Sequence, residues 1–278
     1  MTIDLPLQLE KLFGTRQPVV LVTGSGADRV GRHIARRFVE AGYRVILHAH
    51  TSVDEAKATC DAWRGEGHDV GLVVGPVDDE QHVAQWIQTI VADYGGLHAL
   101  VNTAATWEES PLEVLDSAGM EKQWRVNVLG PTLLCRAAGL AMAAQPLGGA
   151  IVNIGDWAVI RPYADFTAYL LSKSSIRGLT EIMAVELAQR NPNIRVNAVL
   201  PGPVMLDSRI DAADRVKIIN QSLVKREGNA DDVAAAVQFL IESPFITAVS
   251  LPVDGGRSVF AGHSDDIVAH PTYQRKNG

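Results

Sequence analysis

Seven short, nearly unbroken apolar runs punctuate this chain, with longer stretches between them. The runs are "VVLVTG" (19–24), "YRVILHA" (43–49), "HDVGLVV" (68–74), "LHALVN" (97–102), "AIVNIG" (150–155), "IRVNAVL" (194–200) and "VSLPV" (249–253). They are continuous rather than alternating, which predicts strands buried on both faces. Between them, "GRHIARRFVEAG", "VDEAKATCDAWRGEG", "DEQHVAQWIQTIVADYG" and "MEKQWRVNVLGPTLLCRAAGLAMAA" are long enough for crossover helices, and several stop at glycine. Repeated strand–helix–strand units predict a single doubly wound α/β domain with a mainly parallel seven-stranded sheet. The alternation occupies residues 18–256. It leaves residues 1–17 as an amino-terminal extension and 257–278 as a tail, either of which could be mobile or lie on a neighbouring subunit.

Composition narrows the function. The net charge of -7 and the lack of a basic run argue against nucleic acid or an anionic membrane as partner. The start "MTIDLPLQLEKLFGTRQ" lacks the charged opening and apolar stretch of a signal peptide, and no run is expected to reach bilayer-crossing length. The expectation is a cytoplasmic protein acting on a small molecule, with Cys60 and Cys135 as reduced core thiols. His33, His68, His82 and His98 show no ligand spacing, so no metal is expected. Trp63, Trp86 and Trp124 fall in helical patterns, as core or subunit-contact residues.

The first run leads into "TGSGADRVGRHIARRF". Gly24 and Gly26 permit a sharp turn, and Gly31 opens a helix whose amino-terminal N–H groups favour a pyrophosphate. A glycine turn after the first strand and before an amphipathic helix is a dinucleotide fingerprint, hence a Rossmann fold. An enzyme that prefers NAD usually carries Asp or Glu at the end of the second strand. Here that position reads "HAHTS", with His48, His50, Thr51 and Ser52 and no carboxylate before Asp54. Imidazoles and hydroxyls, with Arg29 in the glycine turn, can surround a 2′-phosphate, so NADPH is the expected cofactor. The plain alternative for the histidines is solvated polar residues at a strand end.

Tyr169 and Lys173 are four residues apart, on one face of a helix that follows the fifth strand. An ammonium beside the phenol is expected to lower its pKa from near 10 and make it a proton donor at neutral pH. Together "TGxxxxRxG", "VNTAA", Asn127 in "WRVNVLGP", "IVNIGDWA", Tyr169-x-x-x-Lys173, "RVNAVLPGPV" and "VDGG" resemble the short-chain dehydrogenases/reductases over residues 18–256. The resemblance implies Tyr169 as proton donor, Lys173 holding the nicotinamide ribose, and Asn127 supporting a water-linked proton path. It further implies cofactor contacts from Gly24, Gly26, Arg29, Val30, Gly31, His50, Thr51, Ser52, Val77, Asn102, Thr103, Ala104, Pro201, Gly202 and Val204. A homotetramer built on the helices around 120–143 and 168–190 is implied as well.

Asp156 stands where that family usually has a serine thirteen residues before the tyrosine. An ionised carboxylate only accepts hydrogen bonds, so it cannot hold a carbonyl oxygen as serine does. It suits reduction of C=N, where nitrogen is protonated as hydride reaches carbon. In this, in Arg29 and in the "HxHxS" strand end, the chain is similar to the pteridine reductase branch. That likeness implies that Trp107 stacks on a pterin-like ring. Arg29, Asp156, Tyr169 and Met205 would also face substrate. Arg161, Tyr163 and Phe166 should border the pocket, and Met205 and Leu206 follow "PGPV", where the resemblance implies a mobile substrate lid. Departures are the extra residue in the glycine turn, "NTAA" for the usual "NNAG" or "NNAS", Pro76 where an adenine-contacting aspartate is usual, and Thr51 for arginine. The alternatives are a carbonyl reductase of the same family, acting on a 3-oxoacyl thioester, sugar or small ketone, and a non-catalytic NADPH-binding sensor.

Overall fold

The computed structural model describes residues 5–260 except Asp207 and Arg209; the tail reading falls outside it from residue 261. Strands β1 (Val19–Val22), β2 (Arg44–Ala49), β3 (Val70–Val74), β4 (Ala99–Asn102), β5 (Gly149–Ile154), β6 (Ile194–Pro201) and β7 (Ser250–Val253) form one sheet. Their order is β3-β2-β1-β4-β5-β6-β7 and every pairing is parallel. The chain reverses its direction of travel between β1 and β4, which opens a crevice at the carboxyl ends of those strands.

Helices cover both faces. Val20 and Val22 of β1 pack toward α2 (Val30–Glu40), α3 (Val53–Gly65) and α9 (Ala230–Glu242). Their neighbours Val19 and Leu21 pack toward α4 (Glu80–Tyr94), α6 (Gly130–Ala143) and α7 (Thr167–Ala188). This two-residue alternation of buried faces is why the strands read as unbroken apolar runs. Outside the two layers of core lie α5 (Ser117–Trp124) and α8 (Ala212–Asn220).

Part of the extension is neither loose nor given to a neighbour. Residues Leu5–Phe13 form α1, and Leu9 and Phe13 join the core cluster of β1, β2, α2 and α9. Phe13 meets Tyr43 and His98 edge-on, each at 6.1 Å between ring centroids. Trp63 and Trp86 lie in the core, but Trp124 does not; it is 51% exposed. Cys60 and Cys135 are buried free thiols.

The expectation that no run reaches bilayer-crossing length needs correction. Ser117–Ala143 is a continuous helical run of 27 residues with a mean hydropathy of 1.3 in its most apolar window, enough by length and composition. Half of that window is buried, and Leu134, Cys135, Ala138 and Met142 sit in the core. The run contains a single π-turn, Arg125–Leu129, closed by Gly130 N–H donating to Arg125 O. Such turns insert one residue into a helix and are frequent at functional sites.

Candidate active site

The first six strands, all parallel, end at one carboxyl edge, and the expected site residues outside the helices lie at or after those ends. At the end of β1 the chain turns through Gly24 at φ 64°, where a side chain would strike the Ala104 backbone at 2.8 Å. A side chain at Gly31 would meet Thr103 Oγ1 at 2.5 Å and Gly24 O at 2.6 Å. Thr23 Oγ1 accepts from Thr103 N–H at 3.1 Å and from Ala104 N–H at 3.2 Å, which locks the β4 exit against the glycine turn. The expected residue Ala104 thus acts here through its backbone, and Thr103 through both its backbone and its hydroxyl, which donates to Thr23 O.

His48 is not a solvated strand-end residue. It is 2% exposed; its Nδ1 accepts from Gly24 N–H at 3.0 Å and its Nε2 lies 2.9 Å from Gly75 O. One nitrogen accepts and the other donates only in a neutral ring, and burial lowers the His48 pKa to about 4. A neutral, fully engaged imidazole cannot serve a 2′-phosphate, so the "HAHTS" expectation is corrected at this residue. His50, Thr51 and Arg29 are exposed, and Ser52 is half-buried at the start of α3.

Asp79, Asp116, Asp211 and Asn229 cap their own helices through side-chain oxygens. The starts of α2 and α3, which flank the glycine turn, have no such side-chain cap. Their first N–H groups and dipoles are therefore available to phosphate, and the residues present fit a dinucleotide. Gly26 belongs to the same turn, and Val30 begins α2. Val77 and Asn102 are buried: Val77 packs against Gly130, and Asn102 Nδ2 donates to Asn153 Oδ1 at 2.8 Å. At the far side Gly202 N–H donates to Val253 O at 2.9 Å, with Pro201 and Val204 beside it.

Across the crevice, Asp156 leaves β5 and caps a short helical turn by accepting from Ala158 N–H at 2.8 Å. Its other oxygen accepts from Tyr169 Oη at 2.6 Å. Lys173, one turn further along α7, donates from Nζ to Ile154 O at 2.9 Å. Asn127, aimed by the π-turn, accepts from Thr106 N–H and donates to Thr106 O, both at 2.9 Å. Its Nδ2 also lies 2.9 Å from Ser172 Oγ. Ser172 and Thr106 were not singled out from sequence; nothing but helical spacing and a loop position marks them.

The electrostatics correct one expectation. Tyr169 is held well above its ordinary pKa by burial and by the Asp156 charge and hydrogen bond, not lowered by Lys173. The spacing does put both residues on one helical face, but the ammonium reaches the end of β5 while the phenol reaches Asp156. Burial pushes Asp156 up against the Tyr169 hydrogen bond, and pushes Lys173 down to about 8 against the pull of Asp156.

Trp107 lies flat on Phe166, at 4.8 Å between centroids and 14° between planes, and is 44% exposed. Tyr163 meets Phe166 edge-on at 5.3 Å and lies 6.2 Å from Trp157. Asp165, directly before Phe166, is a non-glycine residue with a left-handed backbone (φ 69°), and Met205, after β6, is another (φ 50°). Strain of this kind persists where surrounding structure enforces it, often beside ligand sites. Leu206 N–H donates to Glu227 Oε1 at 2.9 Å.

A family model described as enoyl-(acyl carrier protein) reductase matches residues 26–258. The chain is 34% identical over 235 residues to carbonyl reductase family member 4 of Danio rerio, spanning 84% of this chain and 96% of that protein. It is 32% identical over 237 residues to a 3-oxoacyl-[acyl-carrier-protein] reductase of Bos taurus, spanning 83% and 94%. Among solved structures it is similar to FolM alternative dihydrofolate reductase 1 from Brucella suis in complex with NADP. The TM-score there is 0.80 at 27% identity, over 90% of this chain and 98% of that one.

Proposed function

This chain belongs to the short-chain dehydrogenase/reductase family, and within it we propose an NADPH-dependent reductase of a pterin-like or related cyclic C=N substrate. As a family member it is an oxidoreductase that takes a nicotinamide dinucleotide. The observation that carries the finer reading is the 2.6 Å hydrogen bond from Tyr169 Oη to Asp156 Oδ2. A carboxylate at this place repels a carbonyl oxygen but accepts from a ring N–H. Tyr169 stays protonated through neutral pH, and the raised Asp156 takes up a proton more readily than an exposed carboxylate. The pair thus holds a proton beside the position where nitrogen must be protonated. Lys173 keeps the carboxylate partly neutralised, and Asn127 ties Thr106 to Ser172 beneath it.

The uncapped starts of α2 and α3 would hold the pyrophosphate, with Arg29, His50, Thr51 and Ser52 around the 2′-phosphate. Bound NADPH supplies the hydride; the chain supplies position and the proton. The dihydrofolate reductase neighbour with NADP supports this reading. A second reading, reduction of a ketone or 3-oxoacyl thioester, is supported by the carbonyl and 3-oxoacyl reductase relatives. Assembly into a homotetramer through α5–α6 and α7 belongs to the proposal; exposed Met120, Trp124, Leu171, Ile182 and Val185 on these helices support it.

The test is NADPH oxidation with dihydrobiopterin beside a 3-oxoacyl thioester, in the wild type and in Asp156→Ser. Pterin turnover should fall roughly 100-fold in the variant, by loss of a proton-transfer partner, while carbonyl reduction holds or rises. An unchanged ratio of the two activities removes the role given to Asp156, and wild-type activity on the thioester alone favours the second reading.

A further inference from the structure

A second cluster of charge stands one aromatic residue away from the Tyr169–Asp156 pair. Arg257, in the turn after β7, is only 9% exposed. It donates from Nη1 to Ile218 O at 2.6 Å and from Nη2 to Gln221 Oε1 at 2.7 Å. Its Nε is buried and has no partner among the described residues. The guanidinium lies 4.7 Å from the centre of the Trp157 indole, and the guanidinium of Arg161 lies 5.3 Å from the same ring. Arg161 itself donates to Phe260 O, and Lys225 Nζ lies 4.7 Å over the Phe260 ring.

Neither arginine makes an ion pair among the described residues. The carboxylate that acts on both is Asp254, and its oxygens already accept from Gly256 N–H at 2.9 Å and Ser258 N–H at 2.7 Å. Burial and the charge of Arg161 together lower Arg257 to about 10. Two guanidiniums gathered on one indole, with one donor unspent, are costly unless a further anion joins them. Packing alone would be served by apolar side chains.

Position says where that anion comes from. Trp157 directly follows Asp156, and Tyr163 bridges the two groups. Its ring contacts Trp157 and Phe166, and its hydroxyl feels the charges of both Asp156 and Arg257. The cluster therefore adjoins the Tyr169–Asp156 pair through Trp157 and Tyr163.

We propose that Arg161 and Arg257 form an anion-binding end of the substrate site and take a carboxylate carried by the substrate. This rests on the reductase reading in that it places the reacting bond at Tyr169. A substrate carboxylate would meet the half-exposed guanidinium of Arg161, with the charge of Arg257 on the same indole adding to the attraction. The preferred substrate is then an acid rather than its neutral counterpart, whether the reduced bond is C=N or C=O.

Isothermal titration of the full chain with 2-naphthoate and with neutral 2-naphthamide reads this without turnover. The expected result is saturable naphthoate binding, weakened roughly 10-fold in Arg161→Met and in Arg257→Met by loss of a charge-assisted bond, with naphthamide unchanged. Arg177→Met, on the exposed face of α7, should leave both ligands unaffected. Thermal melting checks the buried Arg257 variant, and half-exposed Arg161 keeps the test open if that variant unfolds. Absent naphthoate binding, equal binding of acid and amide, or parallel losses of both in Arg161→Met would overturn the proposal. The reductase reading stands or falls separately, on the pterin assay.

Discussion

The two walls of the crevice between β1 and β4 are held by different forces. On the glycine side the geometry is fixed by contact: a Cβ at Gly24 or Gly31 has no room, and neutral His48 ties the turn to β2 and β3. On the facing side the geometry is fixed by charge. Asp156, Tyr169 and Lys173 are packed together, each with a pKa displaced by burial and each tied to one of the others or to the end of β5. One wall tolerates no added volume, and the other tolerates no unbalanced proton. A binding surface and a reacting surface can therefore be damaged independently.

Tyr169→Phe is the strongest test of that division. Turnover should fall at least roughly 100-fold, because the proton donor is gone, while NADPH affinity by fluorescence titration changes less than about 3-fold. Equal loss of both would show that the walls are not separable. Gly31→Val is the mirror experiment. Its side chain would start 2.5 Å from Thr103 Oγ1, so NADPH affinity should drop roughly 10-fold or more as the turn is forced apart. The rate at saturating cofactor should fall much less; a variant with normal affinity and a lost rate would break the comparison.

The smallest effect concerns pH. The folded His48 pKa of about 4 lies below the unfolded value of 6.5, so the unfolded chain takes up the proton first. Its contribution is complete above pH 6.5 and drains as pH falls through 4, by up to about 3 kcal/mol. Urea midpoints measured from pH 7 to 4.5 should decline less steeply in His48→Gln than in the wild type. Identical slopes would mean that the imidazole is not the neutral strut of the glycine turn.

What the sequence made legible divides along the same line. The strands, the glycine turn and the Tyr169–Lys173 spacing are local patterns, and each maps directly onto backbone geometry. Which group the Lys173 ammonium reaches is not local. It depends on where β5 ends relative to α7, and Ile154 O intercepts it. His48 read as a polar strand-end residue because alternation along one strand cannot show that β3 and the glycine turn close over it. Likewise α1 left no mark in the strand–helix alternation, since few of its side chains carry its docking: Leu9 and Phe13 in the core, with Leu12 partly buried against it. Arg161 and Arg257, ninety-six positions apart, are brought together by the contact of Arg257 with the Trp157 ring and by the bond from Arg161 to Phe260 O, neither of which is local in sequence.

The π-turn at Arg125–Leu129 has a consequence for how this chain can change length. A helix advances about 100° per residue, so one extra residue rotates everything after it by that angle. With the turn in place, Asn127 faces Thr106 while Leu134, Cys135, Ala138 and Met142 remain in phase with the core. The wide turn absorbs that rotation, so deleting one residue between 125 and 129 would close it into a regular helical turn and leave the two halves in step. The core stripe of α6 would survive, and what would be lost is the bulge that aims Asn127 at Thr106. In this segment a one-residue deletion is therefore a change of site more than a change of fold.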